Sequence, residues 1–314
     1  MTAAVHGLSP AESAALTRRV TLLSVATALV LVAIKAAAWA ASGSVALLAS
    51  LADSGLDLVA SLITFFAIRY AAAPPDAEHR FGHGKAEAFA SLVQGGLVFA
   101  SAALIGREAI GDLLHPKPVA AEGWAMAVMV VSIVLTAGLV TLQGRVLKQT
   151  ASVAVSGDRA HYFSDLASNA VALIGIGASA WLGLGGVDAL AALVIAALLL
   201  WGAIGVFREA SSQLMDRELP DEARARIVAL VGEDPQVSDV HQLRTRASGP
   251  YVHMQMHVQL DPKLTLDAAH KVIIAAEKRL LGAFPSADII IHADPRGQAE
   301  PHSGAFAEMR VRRP

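Results

Sequence analysis

The sequence predicts an α-helical membrane protein in which six transmembrane helices are followed by a cytoplasmic α+β domain of order α-β-β-α-β. Three observations predict it. The 314 residues have a mean hydropathy of +0.52, with 54% hydrophobic and 17% charged residues, more apolar than a water-soluble domain. The apolar residues gather in six long runs within the first two thirds of the chain. After Glu209 the texture changes to mixed charge and short periodic segments.

The six runs fall at residues 17–41, 44–70, 87–114, 121–147, 157–183 and 187–209, each close to the ~20 residues that span a bilayer. An even number returns the chain to its starting side. Arg18, Arg19, Arg69, Arg80, Lys85, Arg145, Lys148, Arg159 and Arg208 flank one side, whereas the opposite loops offer little beyond Lys117. That asymmetry places both termini in the cytoplasm. Met1 to Thr17 contain no short apolar stretch ending in a cleavage site, so a retained first helix behind a cytoplasmic extension, 1–16, is expected. Lys35 lies near the outer end of the first span. Snorkelling to the interface is the expectation for it, and a functional cation the alternative.

The soluble domain is expected over 210–296. Pro220 opens a helix with apolar Ile227, Leu230 and Val231, and Gly232 stands near its end. Val237 to Arg246 and Tyr251 to Leu260 read as strands joined by a hairpin over Ala247 to Pro250. In the second strand Val252, Met254, Met256, Val258 and Leu260 share one face, and Tyr251, His253, Gln255, His257 and Gln259 the other. Leu264 to Ala283 reads as an amphipathic helix and Asp288 to His292 as a short strand, which gives a small sandwich with helices on one sheet face. Residues 297–314 lack periodicity and are expected to be a disordered tail.

Composition also excludes. Cysteine is absent, which removes disulfides, thiolate catalysis and cysteine-based zinc modules. A net charge of -2 without a basic stripe gives no argument for nucleic acid. Gly82, Gly84 and Lys85 lack the remainder of a phosphate-loop pattern, so no nucleotide is expected.

Within the second span, Asp53 and Asp57 stand four residues apart, on one helix face. Ionisable groups in hydrocarbon are expensive and mark function. His161 and Asp165 repeat the spacing in the fifth span, with Ser164, Ser168 and Asn169 along the same polar side. Three carboxylates brought together in low dielectric repel unless a cation or protons neutralise them. One nitrogen and three oxygens suit Zn2+ and also accept Fe2+, Co2+, Mn2+ or Cd2+. Asp76, His79 and His83 form a second group in the loop after the second helix, where histidines are commonly just solvated. In the soluble domain His241, His257, His270 and His292, with Asp294, either scatter over the sheet surface or converge on a metal site.

Taken together, Leu-Ala-Asp-Ser-Gly-Leu-Asp, Phe-Gly-His-Gly-Lys-Ala-Glu, His-Tyr-Phe-Ser-Asp, His-Gln-Leu-Arg-Thr-Arg and Ile-Ile-His-Ala-Asp-Pro, in this order, resemble the cation diffusion facilitator family. The resemblance covers about residues 17–296 and is greatest to bacterial zinc and ferrous-iron efflux pumps. It implies that Asp53, Asp57, His161 and Asp165 hold the transported metal in a tetrahedral site. It further implies that Asp76, His79 and His83 form a loop site, and that His241, His257, His270, His292 and Asp294 form a two-metal cluster in a metallochaperone-like domain. Lys85 and Asp216 would be a charge interlock linking the membrane and soluble parts.

The expectation that follows is a secondary active transporter, not an enzyme: a homodimeric metal/proton antiporter in a bacterial inner membrane. Its partners would be divalent metal ions, protons, lipid and a second copy of itself. Zn2+ would serve both as cargo and as a structural or regulatory ion. The alternatives are a passive metal channel, a metal sensor, or an intramembrane metal-dependent hydrolase; the last lacks a His-Glu-x-x-His pattern.

Overall fold

The computed structural model describes residues 8–43, 45–114, 123–182 and 187–298. Most of the expected tail, the first residues of the N-terminal extension and Lys117 lie outside the described residues. The chain divides into two compact units, one of residues 14–211 and the other of the described residues outside that range.

The first unit is built from six helices: α1 (Pro10–Ser42), α2 (Val45–Ala71), α3 (Ala86–Leu114), α4 (Gly123–Thr150), α5 (Val153–Leu182) and α6 (Val187–Leu214). Among the described residues, five of them are long and apolar enough to cross a membrane. The remaining one, α5, is 30 residues long and carries Asp158, Arg159, His161 and Asp165 in its first half.

Two helices start before their apolar runs do, and capping explains both. Ser9 and Glu12 form a reciprocal capping box: the Ser9 backbone N–H donates to Glu12 Oε2 at 2.8 Å and the Glu12 N–H to Ser9 Oγ at 3.3 Å. Pro10 takes the first helical position, where its missing N–H costs nothing. α5 begins at Val153 rather than at the expected residue 157 because Ser152 Oγ accepts the Val155 N–H at 3.3 Å. Ala151, at φ +49°, makes the sharp reversal from α4.

Burial in this unit is inside out. Thr21, Ser24, Ser61, Thr64, Gln94, Gln143 and Asp158 are fully buried, while Leu29, Leu56, Val59, Phe66, Phe99, Val134, Leu198 and Trp201 face outward. A water-soluble bundle would reverse this, and hydrocarbon rewards it. The protein is therefore a multi-pass membrane protein. α5 packs against α2, α3 and α4. It approaches α3 closely at Gly157, where a Cβ would stand 3.0 Å from Ser91 Cα and 3.1 Å from Gln94 Cβ. Small residues at such crossings let membrane helices approach.

The second unit is the expected α+β domain. After α7 (Asp221–Val231) come β1 (Asp239–Ser248), β2 (Tyr251–Leu260), α8 (Leu266–Ala283) and β3 (Ala287–Pro295). Strand order is β1-β2-β3, antiparallel between β1 and β2 and parallel between β2 and β3. Gly249, at φ +55°, supplies the left-handed residue of the hairpin turn. Met254, Met256, Val258 and Leu260 of β2 bury against Ile227 and Val231 of α7 and Val272, Ala276 and Leu280 of α8. The alternation in β2 thus assigns one face to the core and leaves His257 on the other. β3 is longer than the expected Asp288 to His292 and reaches Pro295, which brings Asp294 into the sheet.

Candidate metal sites

α2 and α5 bring Asp57, His161 and Asp165 together. His161 Nε2 lies 3.1 Å from Asp57 Oδ1 and 3.8 Å from Asp165 Oδ2. One ligand atom from each of the three lies within 4.8 Å of the others. Asp57 and His161 are buried, and Asp165 Oδ2 has no hydrogen-bond partner among the described residues. A buried, unsatisfied carboxylate oxygen facing an imidazole fits a cation as its missing partner. Asp53, the fourth residue expected here, stands one turn away on α2 and lines the same cavity with Asp57, Asp165, Ser168 and Asn169. It is not part of the immediate group of three.

A polar hub lies one turn before His161. Asp158 is fully buried and accepts from Ser24 Oγ (2.7 Å, α1), Gln143 Nε2 (2.8 Å, α4) and Gln94 Nε2 (3.3 Å, α3). Tyr162 donates to the Ser24 carbonyl at 3.0 Å and pairs with Ser61 Oγ of α2 at 2.7 Å. Helices α1 to α5 are thereby tied together beside the pair Asp57 and His161. Sequence reasoning passed over Asp158, although a carboxylate three residues before a candidate ligand on the same helix was a usable signal.

The loop between α2 and α3 closes on Asp76. Its Oδ1 accepts the backbone N–H groups of His79 at 2.6 Å and Glu78 at 2.9 Å, and its Oδ2 lies 3.2 Å from His83 Nε2. His79 Nδ1 is 3.4 Å from Oδ1. The His79 backbone N–H, chiefly, holds the Asp76 carboxyl below its usual range, with the Glu78 N–H and the two imidazoles adding to it. His83 is buried against Tyr70, with ring centroids 4.4 Å apart, while Asp76 and His79 are exposed. The three expected loop residues therefore converge.

In the soluble unit the strand register sets His241, His257 and His292 in one row, His241 opposite His257 and His257 opposite His292. Asp294 Oδ2 lies 3.1 Å from His241 Nε2 and 2.9 Å from His257 Nδ1, and its Oδ1 lies 3.2 Å from His292 Nε2. A bulge at Gln242, φ +52°, shifts the register just after His241. Asp239, which sequence reasoning missed, stands 3.5 Å from His241 Nδ1. His270 departs from expectation: it is exposed on α8 and belongs to none of the groups among the described residues. α8 covers the Met254 face of the sheet, whereas the histidine row occupies the other. His253 pairs instead with Asp288 at 3.0 Å. Asp216, at φ +56°, is held by Arg246 Nη1 at 3.1 Å within its own unit, and Lys85 lies at the entry to α3 in the other.

Comparisons with known proteins converge on one description. Residues 21–215 match the model of the cation efflux transmembrane domain, and residues 219–296 that of the cytoplasmic domain of cation efflux proteins. The chain is 44% identical over 278 residues to the cation-efflux pump FieF of Shewanella oneidensis, covering 88% of this chain and 93% of the relative. It is 41% identical over 280 residues to FieF of Salmonella arizonae, covering 89% and 93%. Among solved structures, the metal-bound C-terminal domain of the CzcD transporter from Thermotoga maritima matches at 26% identity with a TM-score of 0.25, covering 25% of this chain and 93% of that one.

Proposed function

The chain belongs to the cation efflux family, the cation diffusion facilitators, and from that premise we propose a homodimeric antiporter that exports divalent metal, Zn2+ foremost, in exchange for protons. The observation that carries this reading is the meeting of Asp57, His161 and Asp165, two of which, Asp57 and Asp165, line a cavity that Asp53 also lines. With Asp53 drawn in as the fourth ligand, one imidazole and three carboxylates would form a tetrahedral nitrogen–oxygen set, which suits Zn2+ and tolerates Fe2+, Co2+, Mn2+ or Cd2+.

Such a site must release what it binds. Coordination requires neutral imidazole and ionised carboxylate, so protons compete with metal for the same atoms. A cavity open to an acidic exterior loses its ion to protons, and one open to the cytoplasm exchanges protons for metal. No nucleotide is required, since the proton gradient supplies the energy. The excess of Lys and Arg at one end of the spans supports cytoplasmic termini in a bacterial inner membrane.

The clusters on Asp76 and Asp294 have the donor sets of resident metal sites. His241, His257 and Asp294 would hold an ion in the soluble domain, with His292 beside them and His270 contributed from elsewhere in the dimer. Metal bound there stabilises the folded domain, and across a dimer it stabilises association, by mass action.

Proteoliposomes test the proposal. Vesicles loaded at a pH below that of the bath should take up Zn2+ while releasing protons, and Asp57→Ala should reduce uptake to that of empty vesicles. Uptake indifferent to the proton gradient would exclude antiport. Flux retained in Asp57→Ala would remove the membrane site from the pathway.

A further inference from the structure

Lys35 does not snorkel. It lies about 10 Å from the end of α1 at 1.5 Å per residue, yet only 6% of the residue is exposed. Its ammonium turns across to α2, where it donates to Ser54 Oγ at 2.6 Å and to the Ser50 carbonyl at 3.2 Å. Ser54 directly follows Asp53 and precedes Asp57 by three residues, close to one turn. Lys35 lines the same cavity as Asp53, Asp57 and Asp165. An ammonium inside a chamber for cations requires an account, because by itself it opposes their entry.

We propose that Lys35 is the fixed countercharge that sets which ion valence the membrane site accepts and keeps its hold on a divalent ion weak enough for release. The proposal rests on the reading of Asp53, Asp57, His161 and Asp165 as the transport site. With those carboxylates ionised and the imidazole neutral, the four ligands carry three negative charges, and the ammonium brings the set of five residues to two; Asp158, outside this set, has its own three donors in Ser24, Gln94 and Gln143. A divalent ion then leaves no net charge, whereas a monovalent ion leaves one negative and a trivalent ion one positive. In a low-dielectric chamber an uncompensated charge is costly, so the balanced valence is favoured. Removing the ammonium shifts the balance towards three positive charges. The Ser50–Ser54 turn holds the lysine to one side of the carboxylates, so the charge is felt without occupying the site.

The test uses the full chain in proteoliposomes, with Zn2+ as substrate and La3+ as a trivalent competitor. Lys35→Met, which keeps the length and apolar stem, should raise apparent Zn2+ affinity about tenfold, ~1.4 kcal/mol, with turnover lowered several-fold. La3+ should then inhibit at concentrations at least about tenfold lower than for wild type, while Lys35→Arg restores wild-type values for both. Ser54→Ala, which removes the anchor but keeps the charge, should leave Zn2+ affinity within about twofold of wild type. If Lys35→Met does not accumulate as folded protein, Lys35→Gln replaces it with the same expectations. Unchanged Zn2+ affinity and La3+ sensitivity in a transporting, uncharged variant would overturn the countercharge alone. The same affinity change in Ser54→Ala as in Lys35→Met would also overturn it, since the lysine would then act as a tether. Undiminished transport in Asp57→Ala would overturn the site reading, and the countercharge with it.

Discussion

Ser24 Oγ, on α1, donates to Asp158 Oδ2, on α5, at 2.7 Å, and both residues are fully buried. Gln143 reaches the same oxygen at 2.8 Å and Gln94 the other at 3.3 Å. In hydrocarbon no water replaces a lost partner, so the carboxylate specifies how these helices meet. Asp158→Ala removes the buried charged acceptor that three donors share and should lower unfolding stability in detergent by ~3 kcal/mol. Ser24→Ala removes one donor and should cost only ~0.5–1 kcal/mol. Thermal unfolding followed by circular dichroism measures both, and equal losses would contradict a hub centred on Asp158.

Gly157 offers a second structural check. A methyl group there meets Ser91 Cα at 3.0 Å, and that backbone atom cannot swing aside. Gly157→Ala should therefore destabilise the α3–α5 contact by ~1–3 kcal/mol and reduce transport with it. Gly96→Ala, with open space around its Cβ, should be close to neutral in the same melting assay.

The loop turn should follow the charge of Asp76. Its folded-state carboxyl titrates below the usual value, so the stabilisation is present above the unfolded pKa of about 3.9 and is lost as pH falls through the lower folded value. Amide exchange at Glu78 and His79, whose N–H groups bond to Asp76, should stay protected down to about pH 4 and lose protection below it. Asp76→Ala should expose both amides at neutral pH.

Metal should stabilise the soluble domain through the histidine row. At a concentration one hundred times Kd, Zn2+ should add ~2.7 kcal/mol to its unfolding free energy. Asp294→Ala, which removes the carboxylate shared by three histidines, should abolish that increment, as should His257→Ala. His270→Ala should remove less of it, because His270 lies outside the row. Calorimetric melts of the full chain with and without Zn2+ decide the order.

Much of this architecture was legible in the sequence where one periodicity dominated. The alternation over Tyr251 to Leu260 placed Met254 and Met256 inward and His257 outward, as the packing of α7 and α8 shows. Hydropathy found the spans but erred at helix starts, because Ser9 and Ser152 act through local hydrogen bonds that no apolar average registers. Within the sites, i,i+4 spacing paired His161 with Asp165, yet the same rule could not say that Asp53 would stand back from Asp57's partners. Asp158 and Lys35 were obscured for a common reason. A single charge near the end of an apolar run looks interfacial until the partner helix is seen, and Ser24, Gln143 and Ser54 all come from other helices.

The row of His241, His257 and His292 has a consequence for how this domain can change over evolutionary time. Side chains alternate along a strand, so the row depends on the parity of residue count within each strand, from its start to His241, His257 or His292. Substitutions leave that parity intact. A single-residue insertion or deletion within β3 ahead of His292 would turn His292 and Asp294 into the apolar layer under α8 and bring Ile291 and Ala293 out. Length variation among descendants of this gene should therefore collect outside the strands, where loops absorb it, while the strand interiors drift in sequence at constant length.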